Sequence, residues 1–350
     1  MPFNLVQDRQ SKKGSRALYG EALMPCCAAA ALLLLYQASL LFGDASDEPP
    51  SQAAAVGYVT KTYSGAFSKL TVDIGNTGRP GFEWYPFHFF GQPAPRPESV
   101  NVNRDGSIVF GTEGLDASFA SAAPTRTASR WVGVAFGGGA YFEAALKFDA
   151  DKAAKRKPRG WPAFWSLAIE HCANLDGQQW PKQAPGYVHF VEPDFFEYDV
   201  WSFSPRHYYG GAMHDWYGIY KATCPGRGFC GVSNSGGGGT RFSNFIVRTP
   251  PETDYRAFHK FGFLWVPATR TRQGYAQYYF DGRATDDRVT WQRYTDQPPP
   301  PGLADWTFGI IDKQHLVLVL STGVDQPLTV ASVSVWQSSS TENLRQQSGS

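Results

Sequence analysis

The sequence has almost no net charge: 32 basic side chains meet 31 acidic ones across 350 residues, and charged residues make up only 18% of the chain. No positive footprint exists to follow a phosphate backbone, so nucleic acid is not an expected partner. The one basic patch, Lys152, Lys155, Arg156, Lys157 and Arg159, reads as a solvated loop. Beyond Tyr58 there is no internal repeat and no long stretch of helical periodicity, which argues against a bundle or a solenoid. No Asn-x-Ser/Thr sequon occurs, so glycosylation marks no compartment. The run Gly236 to Gly239 leads into no helix pattern and therefore does not read as a phosphate cradle. Cysteine is scarce, at five residues. Cys26 and Cys27 lie in an apolar N-terminal segment; Cys224 and Cys230 bracket a short loop and predict a disulfide in an oxidising compartment, leaving Cys172 reduced. Three buried thiols is the competing reading. No His/Cys/Asp grouping has the look of a catalytic metal centre, and no metal or cofactor is expected.

What is abundant is aromatic and turn-forming: 11 Trp, 17 Tyr and 25 Phe, with 36 Gly and 25 Pro. Short alternating segments, among them Ala140 to Phe148, Ala163 to Ile169, His189 to Val200, Phe258 to Val266 and Leu328 to Trp336, are separated by turn chemistry such as Asp105-Gly106 and Asp281-Gly282. Many short strands with turns between them predict an all-β sandwich or barrel. It spans residues 58–337. A Ser/Gln-rich stretch, 338–350, reads as a frayed tail.

Ahead of that domain, Ala22 to Gly43 carries no charge and is long enough to cross a hydrocarbon core of about 30 Å as a helix. Arg9, Lys12, Lys13 and Arg16 precede it, and Asp44, Asp47 and Glu48 follow. Positive-inside logic makes residues 1–21 a cytosolic tail, 22–43 a transmembrane anchor and everything beyond it lumenal or extracellular. Small residues at Gly43 and Ala45 also fit a cleaved signal peptide, and both readings lead into the secretory pathway. Residues 44–57, rich in Asp, Glu, Ser, Pro and Ala, predict a stalk.

Chemistry concentrates in Glu192-Pro193-Asp194-Phe195-Phe196-Glu197. Carboxylates among aromatics in a strand are costly to bury and need a reason. Glycosidic hydrolysis supplies one, since it uses one carboxylate as nucleophile and a second as acid, then base. An exposed acidic strand or a calcium site would use the same residues. By period two, Glu192 and Asp194 share a face while Glu197 points away, and one bulged residue near Phe195 or Phe196 restores it.

These residues and their surroundings resemble glycoside hydrolase family 16. Glu192, Asp194 and Glu197 match the family's bulged Glu-x-Asp-x-x-Glu pattern. Gly160-Trp161-Pro162-Ala163-Phe164-Trp165 is similar to its Trp-Pro-Ala-Phe-Trp strand, and Tyr141-Phe142-Glu143-Ala144 to its Tyr-Phe-Glu-Ala strand. Phe258 to Gly262 with Trp265, then Tyr279 to Gly282, resemble the strand pair that follows, and Ser332 to Trp336 the closing strand. The resemblance implies a concanavalin A-like jelly roll of two antiparallel sheets. It implies Glu192 as nucleophile, Glu197 as acid/base and Asp194 as the assisting residue of a retaining endo-acting hydrolase or transglycosylase on β-glucan of a cell wall or extracellular polysaccharide. Trp161, Trp165 and Trp201 are candidate sugar-stacking faces and His259 a candidate neighbour of the site; core packing is the alternative for each. Pro193 departs from the family's usual aliphatic residue and predicts local distortion of the strand. A catalytically silent glycan-binding domain of the same fold is the competing function.

Overall fold

Alternating aromatic and polar positions do form strands, and the computed structural model describes residues 48–65, 67–86, 96–112, 115, 117–124, 131–153, 161–173, 187–198, 208–219, 239–293, 308–341 and 343–345. In chain order the strands begin with β1 (Thr60–Gly65), β2 (Tyr85–Pro86), β3 (Val100–Val102), β4 (Ile108–Phe110), β5 (Ala117–Ala120), β6 (Ala122–Pro124), β7 (Trp131–Ala135), β8 (Ala140–Phe148) and β9 (Ala163–Ala168). They continue with β10 (Tyr187–Glu197), β11 (Tyr208–Ile219), β12 (Gly239–Arg248), β13 (His259–Val266), β14 (Gly274–Phe280), β15 (Arg283–Trp291), β16 (Leu316–Thr322), β17 (Leu328–Gln337) and β18 (Leu344–Arg345).

One large sheet runs β15-β14-β13-β8-β17-β4-β3, with β1 also paired to β17; the other runs β12-β11-β10-β9-β16-β5-β2; a small third sheet runs β18-β7-β6. Every ladder between these strands is antiparallel. The inner faces of the two large sheets meet in one apolar cluster. Phe142, Leu146, Phe261, Phe263 and Val333 come from the first sheet; Phe164, Val191, Phe195, Phe196, Leu318 and Leu320 come from the second. Removing each such side chain from water contributes about 1.5–3 kcal/mol, which is why the sequence's alternation selects this layered arrangement.

The second sheet is also covered on part of its other face. Leu167, Phe190, Trp216, Val317 and Val319 belong to a separate buried cluster there. On β16 this makes consecutive residues bury on opposite sides, so the strand reads Leu-Val-Leu-Val-Leu without polar interruption.

Two boundaries differ from the sequence reading. Residues 44–57 are not a free stalk throughout, because Ser51–Ala54 forms a helical turn. Ala53 is buried there with Tyr58, Tyr141 and Leu264, and the Gln52 amide donates to the Tyr141 hydroxyl at 2.7 Å. A small side chain can dock among buried tyrosines without any apolar run to announce it. At the other end, residues 338–350 are not wholly a frayed tail. Leu344 and Arg345 pair with Ala135 and Val134, and the Asn343 amide donates to Gln337 Oε1 at 2.8 Å. Among the described residues no helix is long and apolar enough to cross a membrane, and 22–43 lies outside them. Cys224, Cys230 and Trp201 also lie outside the described residues, whereas Cys172 ends the helical turn Ile169–Cys172 as a free thiol.

Candidate active site

The site begins with a bulge in β10. Three steps along β10, from Asp194 to Glu197, are matched by only two on β11, from Ala212 to Gly210. The same excess appears against β9, where Asp194 faces Trp165 and Glu197 faces Ala163. The extra residue lets Phe195 and Phe196 both enter the core. Phe195 stacks on Phe142 at 5.2 Å and on Phe263 at 4.5 Å between ring centroids, while Phe196 packs on Phe261 at 4.2 Å and on Tyr209 at 5.4 Å. With two adjacent side chains turned inward, strand alternation places Glu192, Asp194 and Glu197 on the opposite face together. The bulge read from the sequence is therefore where the chain puts it.

Pro193 does not break the strand. It stays in register with Met213, and its carbonyl accepts from the Ser166 hydroxyl at 3.1 Å. The ladder to β9 begins at Asp194; upstream, the Val191 amide donates instead to Gln314 Oε1 at 3.2 Å. Proline's missing N–H thus falls where that ladder has not yet started, and the strand's irregularity begins at the next residue, Asp194.

Each carboxylate has a specific partner. Trp216 Nε1 donates to Glu192 Oε2 at 2.8 Å, and Trp161 Nε1 donates to Glu197 Oε1 at 2.9 Å. His214 Nε2 lies 3.2 Å from Asp194 Oδ2. Glu192 and Asp194 are buried, a cost that their hydrogen-bonding partners offset. His214 and Trp216 were not among the residues singled out from the sequence. Their signal was there in the next strand, where His214 and Trp216 share a face by period two, but no spacing rule ties them to β10 before the pairing is known. Beneath them, on the interior face, His189 Nε2 and Asp215 Oδ1 are hydrogen-bonded, both side chains fully buried.

Close approach of the strands needs one glycine here. A Cβ on Gly211 would come within 2.6 Å of the Tyr278 ring, which packs inward behind the site. Burial, with the Asp194 and Glu197 charges adding to it, holds the Tyr278 hydroxyl well above the usual tyrosine range, so it stays protonated.

The other sequence candidates fall in different places. Trp161 and Trp165 reach the carboxylate face, Trp165 donating to Ser321 Oγ at 3.0 Å. His259 does not: it begins β13 in the first sheet, with Nδ1 2.8 Å from Asp281 Oδ2 and Nε2 3.1 Å from the Asp254 carbonyl. Burial works against its charge, but the Asp281 carboxylate outweighs that and raises its pKa above the ordinary histidine value. The structure therefore groups His259 with Asp281 and Phe280, not with Glu192.

Glu192, Asp194 and His214 also offer one donor atom each within 4.8 Å of one another, a grouping the sequence reading lacked and one that could hold a cation. Glu192 Oε2 in the same group also accepts from the Trp216 indole, and Asp194 Oδ2 faces His214 Nε2.

No protein-family model matches the chain, and no curated protein matches it. Among solved structures it is similar to an endo-1,3-β-glucanase from Streptomyces sioyaensis, with 16% identity and a TM-score of 0.41 over 82% of this chain and 97% of that one. It is similar to a non-specific endo-β-1,3(4)-glucanase from family GH16, with 16% identity and a TM-score of 0.38 over 80% of this chain and 91% of that one. It is similar too to peanut lectin, with 11% identity and a TM-score of 0.34 over 81% of this chain and 98% of that one. Enzymes and a lectin stand side by side in this set, so it does not choose between turnover and binding.

Proposed function

We propose that the domain is a retaining glycoside hydrolase or transglycosylase of the concanavalin A-like, family 16 type, acting within β-glucan chains. The observation that carries this reading is the bulge at Phe195-Phe196, which turns Glu192, Asp194 and Glu197 to one face. Glu192 is the nucleophile, Glu197 protonates the departing glycosidic oxygen and later takes a proton from water, and Asp194 lies between them along the strand. The Asp194–His214 pair at 3.2 Å keeps the middle carboxylate turned toward β11, which separates its role from those of the two glutamates. Retention needs only these carboxylates and a sugar; no cofactor enters.

The domain is also proposed to work on the lumenal or extracellular side of a membrane, with 22–43 as its anchor, on the strength of the charges that flank that span.

Incubating the purified domain with a panel of β-glucans, and resolving the products by size and anomeric configuration, tests the reading. Cleavage with retained configuration, abolished in Glu192→Ala, is the expected result. Saturable glucan binding with no cleavage would instead assign the domain to glycan recognition.

A further inference from the structure

We propose that the small third sheet closes the sugar path on one side of the carboxylates, so that the bond cut lies a short, fixed distance from one end of the glucan chain. The inference rests on the glycosidase reading above and narrows where within the chain that enzyme cuts.

The direction of the path follows from the strand. Two carboxylates that act on one glycosidic bond must flank it. Glu192 and Glu197 lie apart along β10, so a chain passing between them crosses β10 over Asp194 and does not run along it. Its floor is then the row of side chains level with Asp194 on the same face. The strand register gives that row as Ala212 on β11, Asp194, Trp165 on β9, Val319 on β16, Ala120 on β5 and Tyr85 on β2.

Beyond Trp165 this floor is already covered. Val319, Ala120 and Tyr85 are buried, and they share one apolar cluster with Ala122 and Ala123 of β6 and with Val132 and Ala135 of β7. The cover is pinned at both ends. Directly after β5, the Ser121 amide donates to the Leu318 carbonyl of β16 at 2.9 Å, and the Ser121 carbonyl accepts from the Val134 amide of β7 at 2.9 Å. After β7, the Phe136 amide donates to the Leu316 carbonyl at 2.9 Å and the Leu316 amide to the Phe136 carbonyl at 2.7 Å. Buried apolar contacts and paired backbone on this scale make a fixed wall, not a lid that opens locally.

Trp165 is the last step before that wall. It is partly exposed and packs against the edge of the same cluster. Its Nε1 donates to Ser321 Oγ on β16 at 3.0 Å, so the indole extends from the floor toward the covered strand. A sugar stacked on this ring meets the third sheet at its far edge. Two strand spacings, about 10 Å, separate β10 from β16, which admits about two sugar units beyond the cut. The rest of the chain leaves over β11, where His214 is partly exposed.

The test needs no substitution. The full-length protein is given linear β-glucan oligosaccharides of several lengths, labelled at one end or at the other, and a ring of the same linkage, with products sized at initial rate. Linear chains of every length should release one short fragment of constant size, always from the same end. The ring has no end to place on Trp165 and should be cut at least about 100-fold more slowly than a linear chain. Fragments scattered over all sizes, or a ring cut as fast as a linear chain, overturn the inference and leave the enzyme reading standing. If nothing is cut, the enzyme reading fails by itself and equilibrium binding decides the inference. Linear chains held at least about tenfold more tightly than the ring support the closed path. Equal affinity, or no binding of either, overturns it.

Discussion

Phe195 and Phe196 are neighbours in sequence and both point into the core between the sheets, Phe195 stacking on Phe263 and Phe196 packing at a tilt on Phe261. A regular strand forbids this. The reversal is what brings Glu197 round to the face of Glu192, so the candidate site is held in place by two fully buried phenylalanines.

Removing either ring should therefore damage stability and site together. Phe195→Ala and Phe196→Ala are each expected to cost about 3–5 kcal/mol, the usual range for a fully buried phenylalanine. Urea denaturation followed by fluorescence measures it. A loss below about 1 kcal/mol would show that the bulge does not depend on these contacts.

Loss of each glutamate should leave a distinct chemical trace. Glu192→Ala is expected to abolish glucan cleavage, with azide or formate restoring turnover of an activated glycoside and giving the inverted product. Glu197→Ala should lose most of its rate on poor leaving groups and keep more on activated aryl glycosides, which need less protonation. Undiminished cleavage by Glu192→Ala would remove the catalytic assignment.

The Asp194–His214 pair should matter for rate more than for folding. Asp194→Asn and His214→Ala are each expected to lower kcat about tenfold or more. The denaturation midpoint of Asp194→Asn should stay near that of the parent, because asparagine keeps the side chain's shape and an oxygen that can accept from His214. Parental kcat in both variants would take the pair out of the mechanism.

Asp312 predicts a pH dependence of stability. It accepts from Trp265 Nε1 at 3.1 Å, Trp291 Nε1 at 2.9 Å and the Ala268 amide at 3.0 Å, yet burial outweighs these donors and raises its pKa from 3.8 to about 6. Since the folded value lies above the unfolded one, the contribution of the bound proton is complete below 3.8 and is lost as pH rises through about 6. Stability should decline by on the order of 2 kcal/mol across that window, and Asp312→Asn should flatten the decline. Denaturation midpoints at several pH values test the slope; an identical slope in Asp312→Asn would exclude Asp312 as its source.

The all-β class, the position of the main strands and the three carboxylates were all legible in the sequence, because strand alternation and turn residues act over short range. Even the bulge could be placed, since only an extra residue reconciles three carboxylates at this spacing with one face. Other features waited for the strand pairing. His214 and Trp216 become neighbours of Asp194 and Glu192 only through the β10–β11 register, and no local pattern states which strand lies beside which. The same holds for Pro193, whose tolerance depends on the ladder to β9 starting one residue later. His259 shows the converse: its motif placed it on the right strand, but that strand belongs to the other sheet, and Asp281 holds it there. Local chemistry chose which residues carry charge, and the packing of distant strands decided which of those charges meet.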